Sequence, residues 1–156
     1  MYSLIIDSAT KILYVGLVKD NKVLGEIYVE GQHDHAKNIV AKIDELLKAN
    51  SIEAFDLDEI VTGVGPGSYT GVRMAVAVSK MLSVFGNKKL YSISTLKLMA
   101  SGQKGKVLAL IDARRGNSFS CILDTNNDEY IVNEGMYNTE EMLNKSYDLV
   151  VKEDYY

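Results

Sequence analysis

Residues 59–85 read EIVTGVGPGSYTGVRMAVAVSKMLSVF, and this stretch decides the fold. It begins with the β-branched run Ile60-Val61-Thr62, passes through a glycine-rich segment at 63–67 and ends in a long apolar segment with helical spacing. Glycines at 63, 65 and 67 indicate backbone that needs unusual dihedral angles or close approach by another group. We therefore expect a strand, a tight turn and the N-terminus of a helix.

The helix expected over 70–86 is apolar around most of its circumference. Ser68 and Thr70 are both candidates for its N-cap. Arg73 and Lys80 lie seven residues apart, so they share one narrow polar stripe. Such a helix has two sides to bury. One side can pack on its own sheet, and the other packs on a helix of the same chain or of a partner.

The glycines do not complete a nucleotide-binding motif. A Walker loop needs Lys and Ser or Thr after its last glycine, whereas Gly71 is followed by Val72 and Arg73. The dinucleotide fingerprint G-x-G-x-x-G requires a third glycine, but Thr70 occupies that position in this sequence. An anion could still sit at the helix N-terminus.

The run from Gly65 to Arg73, followed by a helix rich in small residues, resembles the signature of the TsaB (YeaZ) family. The residues that carry this signature loop are Gly65, Pro66, Gly67, Ser68, Tyr69, Thr70 and Arg73. The resemblance implies an α/β chain with the actin-like ATPase or ribonuclease-H-like fold, in which helices flank a mixed sheet. It also implies a non-catalytic relative of TsaD, which helps install threonylcarbamoyl on the adenosine next to the anticodon of certain transfer RNAs.

The rest of the chain fits two lobes, an N-terminal lobe at 1–101 and an abbreviated second lobe at 102–156. The expected elements are strands at 4–6, 12–18, 22–30, 60–62, 90–93, 107–111, 117–123, 130–132 and 149–151, and helices at 35–49, 70–86, 95–100 and 139–144. Val23, Gly25, Ile27 and Val29 should share one face of the third strand. The order strand, helix, strand, helix, strand from residue 59 onward indicates a βαβ crossover added to the opening meander.

From the resemblance, the helices at 35–49 and 70–86 pack side by side and offer apolar faces to the equivalent pair of a related subunit. The expected interface residues are His35, Ile39, Ile43, Leu46, Gly71, Met74, Ala75, Val78, Met81 and Leu82. The implied partner is a TsaD-like subunit, with a TsaE-like ATPase joining later and a homodimer forming when TsaD is missing. Transfer RNA is contacted only indirectly. No intrinsic cofactor is expected, and ATP or ADP is held by the partner or at the subunit interface.

Asp7, Ser8 and Thr10 follow the first strand and resemble the first phosphate-contacting segment of the actin-like ATPases. Asp112 in the Asp-Ala-Arg-x-Gly hairpin has the corresponding place in the second lobe. All four residues are candidates for vestigial nucleotide contacts. For Asp7, Ser8 and Thr10 the alternative is that the side chains make bonds to the backbone of their own turn, and we favour it. For Asp112 the alternative is a solvated ion pair with Arg114 or Arg115 on the exposed turn.

Two other classes of function have sequence requirements that can be compared with this chain. An active ATPase or phosphotransferase needs a second phosphate loop and an adenosine pocket with paired glycines, but Asp112 is followed by Ala113 and the chain has no Gly-Gly pair. A metallopeptidase needs a ligand cluster, and His33, Asp34 and His35 do not form the H-E-x-x-H pattern. Asp34 is more simply explained as a helix cap than as a metal ligand. A histidine at the start of a helix is more simply explained as the partner in a local hydrogen bond. No metal site is expected.

The composition limits the class of protein and the cellular location that we expect. The 156 residues are 47% hydrophobic and 24% charged, which suits one domain or two small lobes. A net charge of -4 argues against a large basic surface for nucleic acid. One cysteine, Cys121, permits neither an internal disulfide nor a thiolate zinc site. The first residues lack a basic leader and reach Asp7 early, so we expect no signal peptide, no membrane span and a cytoplasmic location.

Overall fold

The structure, a computed structural model, describes residues 1–30 and 35–153, without the side chains of residues 35–37. The chain forms two compact units. The first consists of residues 1–64 and 68–93, and the second of residues 65–67 and those from 94 onward. This division precedes the lobe boundary expected after residue 101, because the helix at 95–100 belongs to the second hydrophobic core.

The first unit is a five-stranded mixed sheet with two long helices. Its elements are β1 Tyr2–Asp7, β2 Ile12–Lys19, β3 Lys22–Glu30, α1 His35–Ala49, a 3-10 turn at Ala54–Asp56, β4 Glu59–Gly63, α2 Tyr69–Gly86 and β5 Lys89–Ile93. The strand order is β3-β2-β1-β4-β5, with β1, β2 and β3 antiparallel and β4 and β5 parallel to β1. This is the ribonuclease-H-like arrangement that the resemblance implies, and that prediction is confirmed.

A β-bulge gives β3 a register that differs from the expected one. The turn at Asp20 and Asn21, with φ of 48° and 64°, suits a two-residue hairpin. The pairing then shifts from Val18 opposite Val23 to Leu17 opposite Gly25. The extra residue turns Val23 out of the expected apolar face, and its side chain is 52% exposed.

The core of the first unit lies on one face of the sheet. Strands β1 and β2 bury alternate residues there, and α1 and α2 cover them: the buried set includes Leu4, Ile6, Leu13, Val15, Leu17, Ile39, Ile43, Leu46, Leu47, Leu57, Ile60 and Ala75. Each large side chain buried in this way contributes roughly 1.5–3 kcal/mol relative to its exposed form. The two helices are therefore held by their own sheet.

Helix α2 packs closely because its sheet-facing side is small. Gly71, Ala75 and Ser79 recur every four residues, and all three are buried. A Cβ on Gly71 would overlap the backbone carbonyl oxygen of Ser8. Gly71 and Ala75, which are among the expected interface residues, thus pack toward the sheet of their own unit.

The second unit repeats the plan of the first with fewer elements. It contains α3 Thr95–Ala100, β6 Lys106–Asp112, β7 Asn117–Asp124, β8 Glu129–Asn138, α4 Thr139–Leu143 and β9 Leu149–Lys152. Among the described residues its sheet has four strands in the order β8-β7-β6-β9, with β9 parallel to β6. Because β6 begins this separate sheet, the βαβ prediction is right for β4-α2-β5 and wrong for the continuation through α3.

The helices of the second unit pack on different cores. Leu96 and Met99 of α3 join the core that contains Cys121, whereas Met142 of α4 joins the core that contains Leu108. The N-cap of α4 is Asn138, whose Oδ1 accepts a hydrogen bond from the Glu141 N–H at 3.2 Å. Thr139, at which the sequence predicts the start of this helix, is its first helical residue.

In the described part of the chain, no helix combines the length and the apolar character needed to cross a membrane.

Substituting Gly71 tests the close packing of α2. We expect Gly71→Ala to lower the free energy of unfolding by about 1–3 kcal/mol, because the added methyl group meets backbone that cannot rotate away. Urea unfolding followed by circular dichroism measures the change. Gly86→Ala in the same helix is the matched control, since its Cβ would meet only the flexible Lys88 side chain. Equal stabilities for the two variants would contradict the packing described here.

Ser79 supplies a second test, because its hydroxyl is buried and has no hydrogen-bond partner among the described residues. A buried polar group without a partner costs about 1–3 kcal/mol. We therefore expect Ser79→Ala to be as stable as the native chain or more stable, by up to about 1 kcal/mol, in thermal and urea unfolding. A clear loss of stability would show that the hydroxyl is satisfied in solution.

Candidate functional site

The turn after β1 is held by bonds from its own side chains. The carboxylate of Asp7 is buried, and its Oδ1 accepts a hydrogen bond from the Ala9 N–H at 2.7 Å. The Thr10 Oγ1 accepts one from the Ile12 N–H at 3.1 Å. The Ser8 hydroxyl donates to the carbonyl oxygen of Gly71 at 2.7 Å. The bonds of Asp7 and Thr10 are the local turn bonds that the sequence offers as the alternative to phosphate contacts, whereas the bond of Ser8 reaches the distant residue Gly71 in α2.

The N-terminus of α2 closes on the same turn. Ser68 is the N-cap, and its Oγ accepts a hydrogen bond from the Gly71 N–H at 3.2 Å. The Ser68 N–H donates to the carbonyl oxygen of Ala9 at 2.6 Å. Two backbone donors that could face an anion at this helix terminus are therefore engaged by the protein itself.

Gly63 brings β4 against the Asp7 carboxylate. A Cβ at this position would overlap the carboxylate of Asp7. Glycine is therefore required by close approach, as the sequence predicts for one of its glycines. The result is a tightly filled junction between the ends of β1 and β4.

The other glycines of the signature loop have a different role. Gly65 has a φ of 86° and Gly67 a φ of 150°, so both occupy backbone regions that favour glycine. Within the second unit, Gly65 exchanges two hydrogen bonds with Thr95: its N–H donates to the Thr95 Oγ1 at 3.1 Å, and its carbonyl oxygen accepts from the Thr95 N–H at 2.9 Å. These bonds hold the loop to the start of α3.

The exposed part of the signature is a tyrosine and an arginine. Tyr69 is 75% exposed, and the guanidinium carbon of Arg73 lies 5.3 Å from the centre of its ring. The Arg73 Nη1 also donates to the Tyr69 hydroxyl at 3.4 Å. A stacked pair of this kind contributes at most about 1 kcal/mol to the stability of the fold at an exposed site. The pair therefore adds little to the free energy of unfolding.

Asp112 lies at the end of β6 in the second unit. Its Oδ1 accepts a hydrogen bond from the Arg114 N–H at 2.9 Å, while Arg114 and Arg115 adopt φ values of 65° and 53°. With Ser118 and Lys152 it borders a pocket of about 140 Å³. The described bond again belongs to a local turn.

Most of the predicted interface residues lie in or against the core of their own unit. Ile39, Ile43 and Leu46 of α1, and Gly71 and Ala75 of α2, are buried. They are therefore unavailable to a partner, and their assignment to an interface is corrected to the core. The error arose because one apolar stripe cannot reveal whether it faces a sheet or another subunit.

The remaining predicted interface residues differ in exposure. Met74, Val78 and Leu82 are half-buried and pack against the first core. Met81 is 43% exposed. His35 is the first residue of α1, but its side chain lies outside the described side chains, and His33 and Asp34 lie outside the described residues. Where the structure describes side chains, no three ligand-type residues come together.

Sequence reasoning missed an exposed apolar surface at the C-terminal end of α2. Phe85 is 85% exposed, Val84 is 76% exposed and Phe55 of the 3-10 turn is 82% exposed. A groove of about 230 Å³ lies beside them. A weak signal was present in the sequence, since Phe55 is a large aromatic residue in the short connection at 51–58.

Cys121 has no role in chemistry at the surface. It is completely buried, and burial raises the pKa of its thiol to about 12, with the charge of Glu134 adding to the effect. The thiol is therefore protonated at neutral pH and is a poor nucleophile.

Comparison with known proteins agrees with this geometry. The family model for TsaD, tRNA N6-adenosine threonylcarbamoyltransferase, matches residues 22–155. The TsaB proteins of tRNA threonylcarbamoyladenosine biosynthesis from Escherichia coli K12 and Bacillus subtilis 168 are 32% and 29% identical over 124 and 123 residues. These matches cover 76% and 77% of this chain and 53% and 54% of the relatives. The chain thus spans about half the length of the curated relatives that it matches.

The structural comparison supports the same grouping at the level of the fold. YeaZ from Pseudomonas aeruginosa has a TM-score of 0.81 with 20% sequence identity, and the match covers 97% of this chain and 84% of that protein. The family model, the curated relatives and this fold agree. The chain therefore belongs to the TsaD family, in which the proteins it matches are the TsaB (YeaZ) members involved in tRNA threonylcarbamoyladenosine biosynthesis.

Proposed function

We propose that this chain is a non-catalytic subunit that pairs with a TsaD-like protein and supports threonylcarbamoyl transfer to the adenosine next to the tRNA anticodon. The observation that carries this proposal is the closed turn between β1 and α2. There, Ser8 and Ala9 bond directly to Gly71 and Ser68. The place where a phosphate would meet the first strand and the helix N-terminus is occupied by these bonds.

The chemistry of the turn argues against phosphoryl transfer by the lone chain. Phosphate binding at a helix N-terminus needs backbone N–H groups that point at the ligand. The N–H of Ser68 and that of Gly71 already have protein partners. Gly63 also lets the Asp7 carboxylate pack against the end of β4. Opening this junction for a nucleotide would therefore disrupt the contact between the ends of β1 and β4.

A supporting role is the function that remains for such a domain within its family. Helix α2 keeps its own sheet on one side and presents exposed apolar residues on the other, a combination that suits a docked subunit. The subunit would favour the active conformation of its partner by binding it more tightly than the inactive one. A TsaE-like ATPase joins that complex, and the chain pairs with itself when its partner is missing.

Charge and cofactors follow from the same role. Because the chain has a net charge of -4, the other subunits bind transfer RNA and this chain contacts it only indirectly. It holds no cofactor of its own, so the partner or the subunit interface holds the ATP or ADP that the complex uses. This machinery operates in the cytoplasm.

Nucleotide turnover tests the non-catalytic assignment. We expect the purified chain with MgATP to release no phosphate above the buffer rate, because its phosphate turn is closed. A colorimetric phosphate assay measures this. Sustained hydrolysis by the lone chain at about 1 s⁻¹ or faster, the lower end of the range for kinases, would assign it to the ATPase class instead.

Reconstitution tests the supporting role. With the TsaD-family and TsaE-family proteins of the same genome, an activated threonylcarbamoyl donor and unmodified tRNA as acceptor, we expect modified adenosine to form only when this chain is present. Mass spectrometry of digested tRNA measures the product. A stable pair should bury at least about 1,200 Å², so the complex should also survive size-exclusion chromatography. Full activity without the chain contradicts the proposal.

A further inference from the structure

We draw no further inference here: the strongest candidate, the apolar groove between the 3-10 turn at Ala54–Asp56 and the C-terminal end of α2, carries none because nothing in the structure shows what covers it.

Discussion

The approach of α2 to the turn after β1 is the constraint on which the first unit depends. At Gly71 the helix backbone touches the Ser8 carbonyl, and the Ser8 hydroxyl returns a hydrogen bond to the Gly71 carbonyl. This contact sets the height of α2 above the sheet, and Ala75 and Ser79 continue it along the same side. Because the helix lies so close, its large apolar residues cannot all face the sheet. Some of them, including Met81, Val84 and Phe85, project outward.

One contact thus links the closed turn after β1 to the exposed apolar side of α2. The closed turn engages the N–H groups of Ser68 and Gly71, and the same approach leaves the far side of α2 apolar and exposed.

The two units show how far one plan can be reduced. Both contain three antiparallel strands followed by a helix and a parallel strand, and in the second unit α3 precedes these strands. In the described residues, however, the second sheet has four strands where the first has five. The long helices α1 and α2 contribute most of the first core's cover, whereas α4 contributes the single buried residue Met142.

The sequence by itself determined the elements, since period-two and period-3.6 patterns and glycine punctuation are local properties of the chain. The signature loop followed from the same local chemistry, as did Ser68 as one of the two cap candidates of α2. Only the tertiary structure decided which side of α2 meets the sheet, because a polar stripe as narrow as that of Arg73 and Lys80 leaves more than one apolar side that could face it. It also decided the bulge that turns out Val23 and the groove between Phe55 and Phe85, since both depend on residues that meet only when the chain folds.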